Sequence, residues 1–185
     1  MRAASLLLVF VFAKAAMVWG HSAPITPWWP IAYIWQDVLV AAIFAALDLA
    51  IKKPWITWTI YWSAAIYAAI NIPVGRAVST PLTRPMLRAA RGPLSDSIFL
   101  YITATNVLLV LAILAAAALI PRLLTRVPRQ FGFVAAACAL LAILLGPTAS
   151  RRVDTHGMDR NVFLALLGPS TVTGHTKLPR SSRLA

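Results

Sequence analysis

Apolar residues fall in five runs, roughly residues 4–19, 31–51, 55–74, 98–120 and 131–145, separated by shorter polar and basic stretches. A bilayer core about 30 Å thick takes about 20 apolar residues of helix, and the second, third and fourth runs have that length. Helix is the expected form for each, because in lipid every backbone N–H and C=O must be paired within its own segment. The run at 98–120 carries no charge and is the clearest span. The run at 131–145 is short and crosses with local thinning of the bilayer or snorkelling flanks. The first run follows Arg2 and is interrupted by Lys14. It fits a cleaved signal peptide with a basic start, an apolar middle and a small residue at Ala23, or an uncleaved first helix. The apolar stretch continues past Lys14 to Trp19, which suits the uncleaved helix better. The pattern therefore predicts an all-α integral membrane protein with about five transmembrane helices over residues 1–146, followed by an external connector and disordered tail over residues 147–185.

Between the third and fourth runs, Pro85 suits a first helical turn and Gly92-Pro93 a stop, which predicts a short helix over residues 84–91. Arg84, Arg88 and Arg91 then fall at i, i+4 and i+7 on one face, with Met86, Leu87 and Ala90 displaced from it. That is the pattern of an amphipathic interfacial helix whose arginines contact lipid phosphates or a partner protein. The alternative is a solvated loop without a ligand. Ser95 and Asp96 read as the N-cap of the fourth span.

Composition removes the soluble classes. Hydrophobic residues make up 60% of the 185-residue chain and charged residues 12%, about half the charged share of an ordinary soluble domain. Net charge is +12, but the cations border apolar runs, so they read as topology determinants and contacts to anionic head groups, with no nucleic-acid partner. Residues 20–30 contain no Lys or Arg, whereas Lys52 and Lys53 follow the second run and Arg122, Arg126 and Arg129 follow the fourth. This puts the N-terminus in the cytoplasm and the C-terminus outside. The count from Arg76, Arg84, Arg88, Arg91 and the basic tail runs the other way; the early loops usually dominate.

Charges within spans are costly and need a partner or a purpose. Lys14 and Asp37 lie at matched depths below the external end, which allows an ion pair; the alternative is that Lys14 snorkels outward and Asp37 meets water. Asp48 and Lys52 stand at i, i+4 and suit an anchoring salt bridge. Asp37 and Asp48 are eleven residues apart and share a helix face, the spacing of a cation path, though no Glu or His supports one deeper in the bundle. All seven tryptophans lie in the first 62 residues and read chiefly as interfacial belts. Cys138, the single cysteine, is expected to pack between helices.

Enzyme motifs are missing: the chain has no GxSxG, CxxC, HExxH or Gly-rich phosphate loop, and no Glu at all. Asp154-x-His156 and the isolated His175 make no metal site, so no cofactor or metal is expected.

Three segments, Tyr67-Ala-Ala-Ile-Asn-Ile-Pro-Val, Ser79-Thr-Pro-Leu-Thr and Met86-Leu-Arg-Ala-Ala-Arg-Gly-Pro-Leu-Ser-Asp-Ser97, resemble the N-terminal membrane region of bacterial membrane-anchored sulfatases. These belong to the alkaline phosphatase superfamily, with lipoteichoic acid synthase. Asp159-Arg-Asn-Val-Phe-Leu-Ala-Leu167 is similar to the connector leading to their exported catalytic domain. The resemblance implies five spans in the bacterial inner membrane, a cytoplasmic N-terminus and an external hydrolase or transferase domain. The metal-binding and nucleophilic residues of the family belong to that domain and match no position here. The chain thus looks like the membrane half of such an enzyme, cut short and not itself catalytic. The alternative is a small stand-alone membrane protein that binds anionic lipid or a partner.

The arginine face generates a direct test. Replacing Arg84, Arg88 and Arg91 together by Gln should lower affinity for anionic nanodiscs by about 3 kcal/mol, at about 1 kcal/mol per cation, with helical content unchanged. Added salt should weaken the parent protein's lipid preference and leave that of the triple variant nearly constant.

Overall fold

Helix starts are written where the chain supplies a pre-set φ or a capping oxygen. Pro30 occupies the first turn of one helix and Pro54 opens another, while the Thr103 side chain accepts from Asn106 N at 3.3 Å. The computed structural model describes residues 1–19, 26–78, 80–89, 103–125, 130–153, 155 and 160–167. Among them the regular structure is entirely helical: α1 (Arg2–Val18), α2 (Trp29–Ala50), α3 (Pro54–Val78), α4 (Arg84–Ala89), α5 (Ala104–Leu124), α6 (Gln130–Arg152) and α7 (Val162–Leu167).

The bundle is built around α1, which packs against α2, α3 and α5. Its inward face, Leu6, Val9, Phe10 and Ala13, meets an alanine-rich face of α3 with Ala64, Ala65, Ala68 and Ala69. Small residues at three- and four-residue spacing let the helix backbones approach closely, which supplies the packing that lipid cannot drive. Ile113, Ala117 and Ile120 of α5 complete this core. The remaining long helix, α6, lies on α2 and runs antiparallel to it, with Trp28 beside Arg152 and Trp35 beside Ser150.

Among the described residues three helices are long and apolar enough to cross a membrane: α2, α5 and residues 132–152 of α6. The expected count of five is not reached on this criterion, and α1 and α3 account for the difference. At 17 residues α1 is the shortest of the long helices, and α3 carries Thr57, Tyr61, Tyr67 and Asn71 among its apolar residues. Both are inner helices. The outer pair shows the reverse distribution, since Leu108 and Leu111 of α5 and Phe133, Leu140 and Leu144 of α6 are exposed. Apolar side chains turned outward are what a hydrocarbon environment accepts at no cost.

Helix boundaries differ from the sequence pattern at several points. α6 runs on past Leu145 through Gly146 and Pro147 to Arg152. Proline removes one helical hydrogen bond, and here the following hydroxyls turn back onto the helix, Thr148 Oγ1 to the Leu145 carbonyl and Ser150 Oγ to that of Gly146. α5 begins at Ala104, with Thr103 as its cap; Ser95, Asp96 and the expected start at Ile98 lie outside the described residues. Cys138 is exposed on α6, where residues 132–138 are exposed on every face, so the expected packing between helices is not found. Residues 168–185, expected as a disordered tail, lie outside the described residues.

Gly146 is required by close approach: a Cβ there would stand 2.3 Å from Trp35 Cγ, against a rigid indole held by Ser150. Gly132, by contrast, has open space where its Cβ would lie. Gly146→Ala should therefore destabilise the detergent-solubilised protein by about 1–3 kcal/mol. Gly132→Ala should be neutral or stabilise by up to about 1 kcal/mol through helix propensity. Thermal melts of the two variants beside the parent check both.

Candidate functional site

The most chemically loaded part of the bundle is a polar cluster at the α1–α2 contact. Lys14 is 8% exposed and Asp37 2% exposed, and their charged groups meet at 2.7 Å, Nζ to Oδ2. Lys14 Nζ also donates to the Tyr33 carbonyl at 2.6 Å. The second carboxylate oxygen of Asp37 accepts from Asn161 Nδ2 at 2.6 Å. Asn161 is 1% exposed and bonds at three further points: its N–H donates to Gln36 Oε1 at 2.8 Å, its Oδ1 accepts from Phe163 N at 2.9 Å, and its carbonyl accepts from Ala165 N at 2.9 Å. An Asn side chain accepting from the second helical N–H is an N-cap, so one residue both starts α7 and ties it to Asp37. A buried carboxylate with an ammonium on one oxygen and an amide on the other has its desolvation offset on both sides.

α7 is held on the apolar side as well. The Phe163 ring lies 5.2 Å from that of Tyr67 and 6.1 Å from that of Phe10, between α3 and α1. The segment following the last long helix thus returns to the bundle and is fastened there at a polar and an aromatic point.

A second ion pair joins the opposite ends of α1 and α2. Arg2 Nη1 meets Asp48 Oδ1 at 2.6 Å and donates to Thr57 Oγ1 at 3.1 Å, and its guanidinium lies 5.2 Å from the Trp58 ring centre. This corrects the expected pairing of Asp48 with Lys52. α2 ends at Ala50 and Ile51 is extended, so Lys52 no longer follows the helical i, i+4 geometry. Each acid that would mark a cation path is paired to α1: Asp37 to Lys14, and Asp48 to Arg2. One turn inward from Arg2, Ser5 Oγ and Tyr61 OH lie 2.8 Å apart, and Tyr61 OH donates to the Ala117 carbonyl at 2.8 Å, joining α1, α3 and α5.

The segment before α4 is strapped to α3. Asn71 Oδ1 accepts from Leu82 N at 2.7 Å, and Tyr67 OH donates to the Leu82 carbonyl at 3.2 Å. α4 is six residues long, with Arg84 and Arg88 both exposed; Arg91 lies outside the described residues. Asp154, His156 and His175 also lie outside them. Among the described residues no three His, Cys, Asp or Glu side chains gather as metal ligands.

Three of the tryptophans also make contacts between helices. Trp35 Nε1 donates to Ser150 Oγ at 2.7 Å, Arg152 stacks over Trp28 at 4.9 Å, and Trp58 faces Arg2. Trp19 and Trp55 are the exposed ones.

Sequence reasoning did not single out Asn161 as a site residue. Its signal is a polar capping residue directly before an apolar hexamer, which announces a helix start but says nothing of a partner on α2. No protein-family model, curated protein or solved structure matches the chain.

The pair is open to a double-mutant cycle. Lys14→Met or Asp37→Asn alone should each cost about 3–5 kcal/mol of stability, because a buried charge or its hydrogen-bonding partner is left unmatched. The double variant should cost less than the two single losses together, with a coupling of about 1 kcal/mol or more. Thermal unfolding of the four proteins in one detergent measures it, and additive losses would show that the contact carries no coupling.

Proposed function

We propose that the chain is the membrane-anchoring domain of a sulfatase-like hydrolase or transferase. Five helices, α1, α2, α3, α5 and α6, cross the bacterial cytoplasmic membrane with the N-terminus inside and the C-terminus outside. The observation that carries the reading is the fastening of Asn161 to Asp37 at 2.6 Å. A connector that merely trailed from its last span would have no need of a buried bond to a residue 124 positions earlier. An anchor that holds a following domain at a set place above the membrane does, and α7 lies within the segment that resembles the connector to an exported catalytic domain.

Two further features support the topology. α1 is about 25 Å long at 1.5 Å per residue, close to the hydrocarbon thickness, and its polar residues face protein. Arg2, Asp48 and the Lys52-Lys53 turn gather at one end of the bundle, whereas Lys14, Asp37 and Asn161 lie toward the other. The basic turn is then the cytoplasmic side. No catalytic role is proposed for any residue here. The exposed Arg84 and Arg88 favour a second, compatible role, contact with anionic head groups or with the external domain.

A reporter active only outside the cytoplasm, fused after Ala185, should be active, and the fusion should stay with membranes through an alkaline wash. Asn161→Leu should leave export unchanged while cleavage between residues 153 and 167 by protease added from outside rises several-fold. A silent exported reporter, or a connector equally resistant in both proteins, would refute the anchor as described.

A further inference from the structure

α2 and α3 follow each other in sequence and both pack on α1; they meet through the Phe44 and Tyr61 rings, 6.3 Å apart, and leave a gap beside that contact. The gap is an apolar groove of about 290 Å³. Leu6 of α1 forms its floor, Val40 and Leu47 its α2 wall, Ile60 and Ala64 its α3 wall, and Phe163 of α7 closes one end. Leu47, its lining residue nearest the end of α2, lies five residues before Lys52, and Lys52 and Lys53 are both exposed in the turn at residues 51–53. Asp48, the nearest acid on α2, is already matched by Arg2 at 2.6 Å, so the two lysines set the charge at that mouth. Trp55, 65% exposed, stands beside them in the position of an interfacial aromatic residue.

The occupant follows from these features, together with the reading of α2 and α3 as spans, on which this inference rests. An apolar slot that opens sideways between two spans has hydrocarbon in front of it and, with Thr59 and Ser63 the only polar residues lining it, little to keep water, so what fills it is an alkyl chain. The groove runs toward a pair of lysines at head-group level, and a cationic pair there selects a negatively charged head group over a zwitterionic one. We propose that this groove is a binding site for one anionic phospholipid from the leaflet that faces the α2–α3 turn, with an acyl chain along Leu6 between α2 and α3 and its phosphate on Lys52 and Lys53. The site is separate from the α4 arginines, which lie beyond the far end of α3. The lipid also completes the side wall that protein leaves open beside the Phe44–Tyr61 contact.

Lipid retention tests this directly. The full chain is reconstituted with equal amounts of phosphatidylglycerol and phosphatidylcholine, extracted into mild detergent and weighed intact by native mass spectrometry. The parent should retain about one phosphatidylglycerol per chain in preference to phosphatidylcholine. The double substitution Lys52→Gln, Lys53→Gln should lower that retention about tenfold or more. Ser63→Phe, an exposed position on the groove rim, should lower retention by occupying the slot, with helical content unchanged in both variants. Arg84→Gln with Arg88→Gln should retain the lipid as the parent does. Equal retention of the two lipids by the parent, or parent-like retention by both groove variants, would overturn the site while leaving the anchor reading intact. A chain that leaves membranes in an alkaline wash would overturn both.

Discussion

The fold depends on a double electrostatic clamp between α1 and α2. Lys14 meets Asp37 near one end and Arg2 meets Asp48 near the other, with the two helices antiparallel. The cations are twelve residues apart on α1 and the acids eleven apart on α2, so both pairs close in one register. A slip of one helical turn, about 5.4 Å, would break both at once and leave four charges without partners. Apolar packing between membrane helices is weakly specific, since lipid tails satisfy a leucine as well as another leucine does. The charged pairs supply what packing lacks, and α1, held in that register, becomes the surface on which α3 and α5 assemble.

Polarity in this bundle is arranged from the centre outward. Ser5, Tyr61 and Asn71 are fully buried and bond to neighbouring side chains or backbone carbonyls. α1 and α3 carry these groups, whereas α5 and α6 turn leucines and a phenylalanine outward. A criterion based on length and hydropathy finds the outer helices together with α2, and passes over α1 because it has 17 residues and α3 because of its polar residues. The same arrangement explains how a chain that is 60% hydrophobic can hold so many internal hydrogen bonds.

What the sequence revealed and what it hid divide along the range of the interaction. Apolar run length marked every long helix, and Pro85 marked the start of the short one, whose expected stop at Gly92-Pro93 lies outside the described residues. Matched depth placed Lys14 and Asp37 at the same level, which is legible because both lie on adjacent helices joined by one loop. Asn161 was hidden for the opposite reason: 124 residues separate it from Asp37, and a single asparagine before an apolar hexamer has many possible partners. The Arg2–Asp48 pair was missed because local spacing favoured Lys52, and only the end of α2 at Ala50 removes that choice. The five-span count, the orientation and the sulfatase-like resemblance rest on sequence pattern, and the helix bundle is compatible with them without identifying a relative.

The two oxygens of Asp37 are matched by groups that leave the ribosome at very different times. Lys14 precedes the carboxylate, so the first pair can close as soon as α2 has formed. Asn161 emerges 124 residues later, which at about 5–20 residues per second is a delay of roughly 6–25 s. Until then one oxygen of the carboxylate is without its amide partner. Closure of the last bond thus comes only after every preceding helix has been synthesised, an order of assembly written into the chemistry of a single side chain.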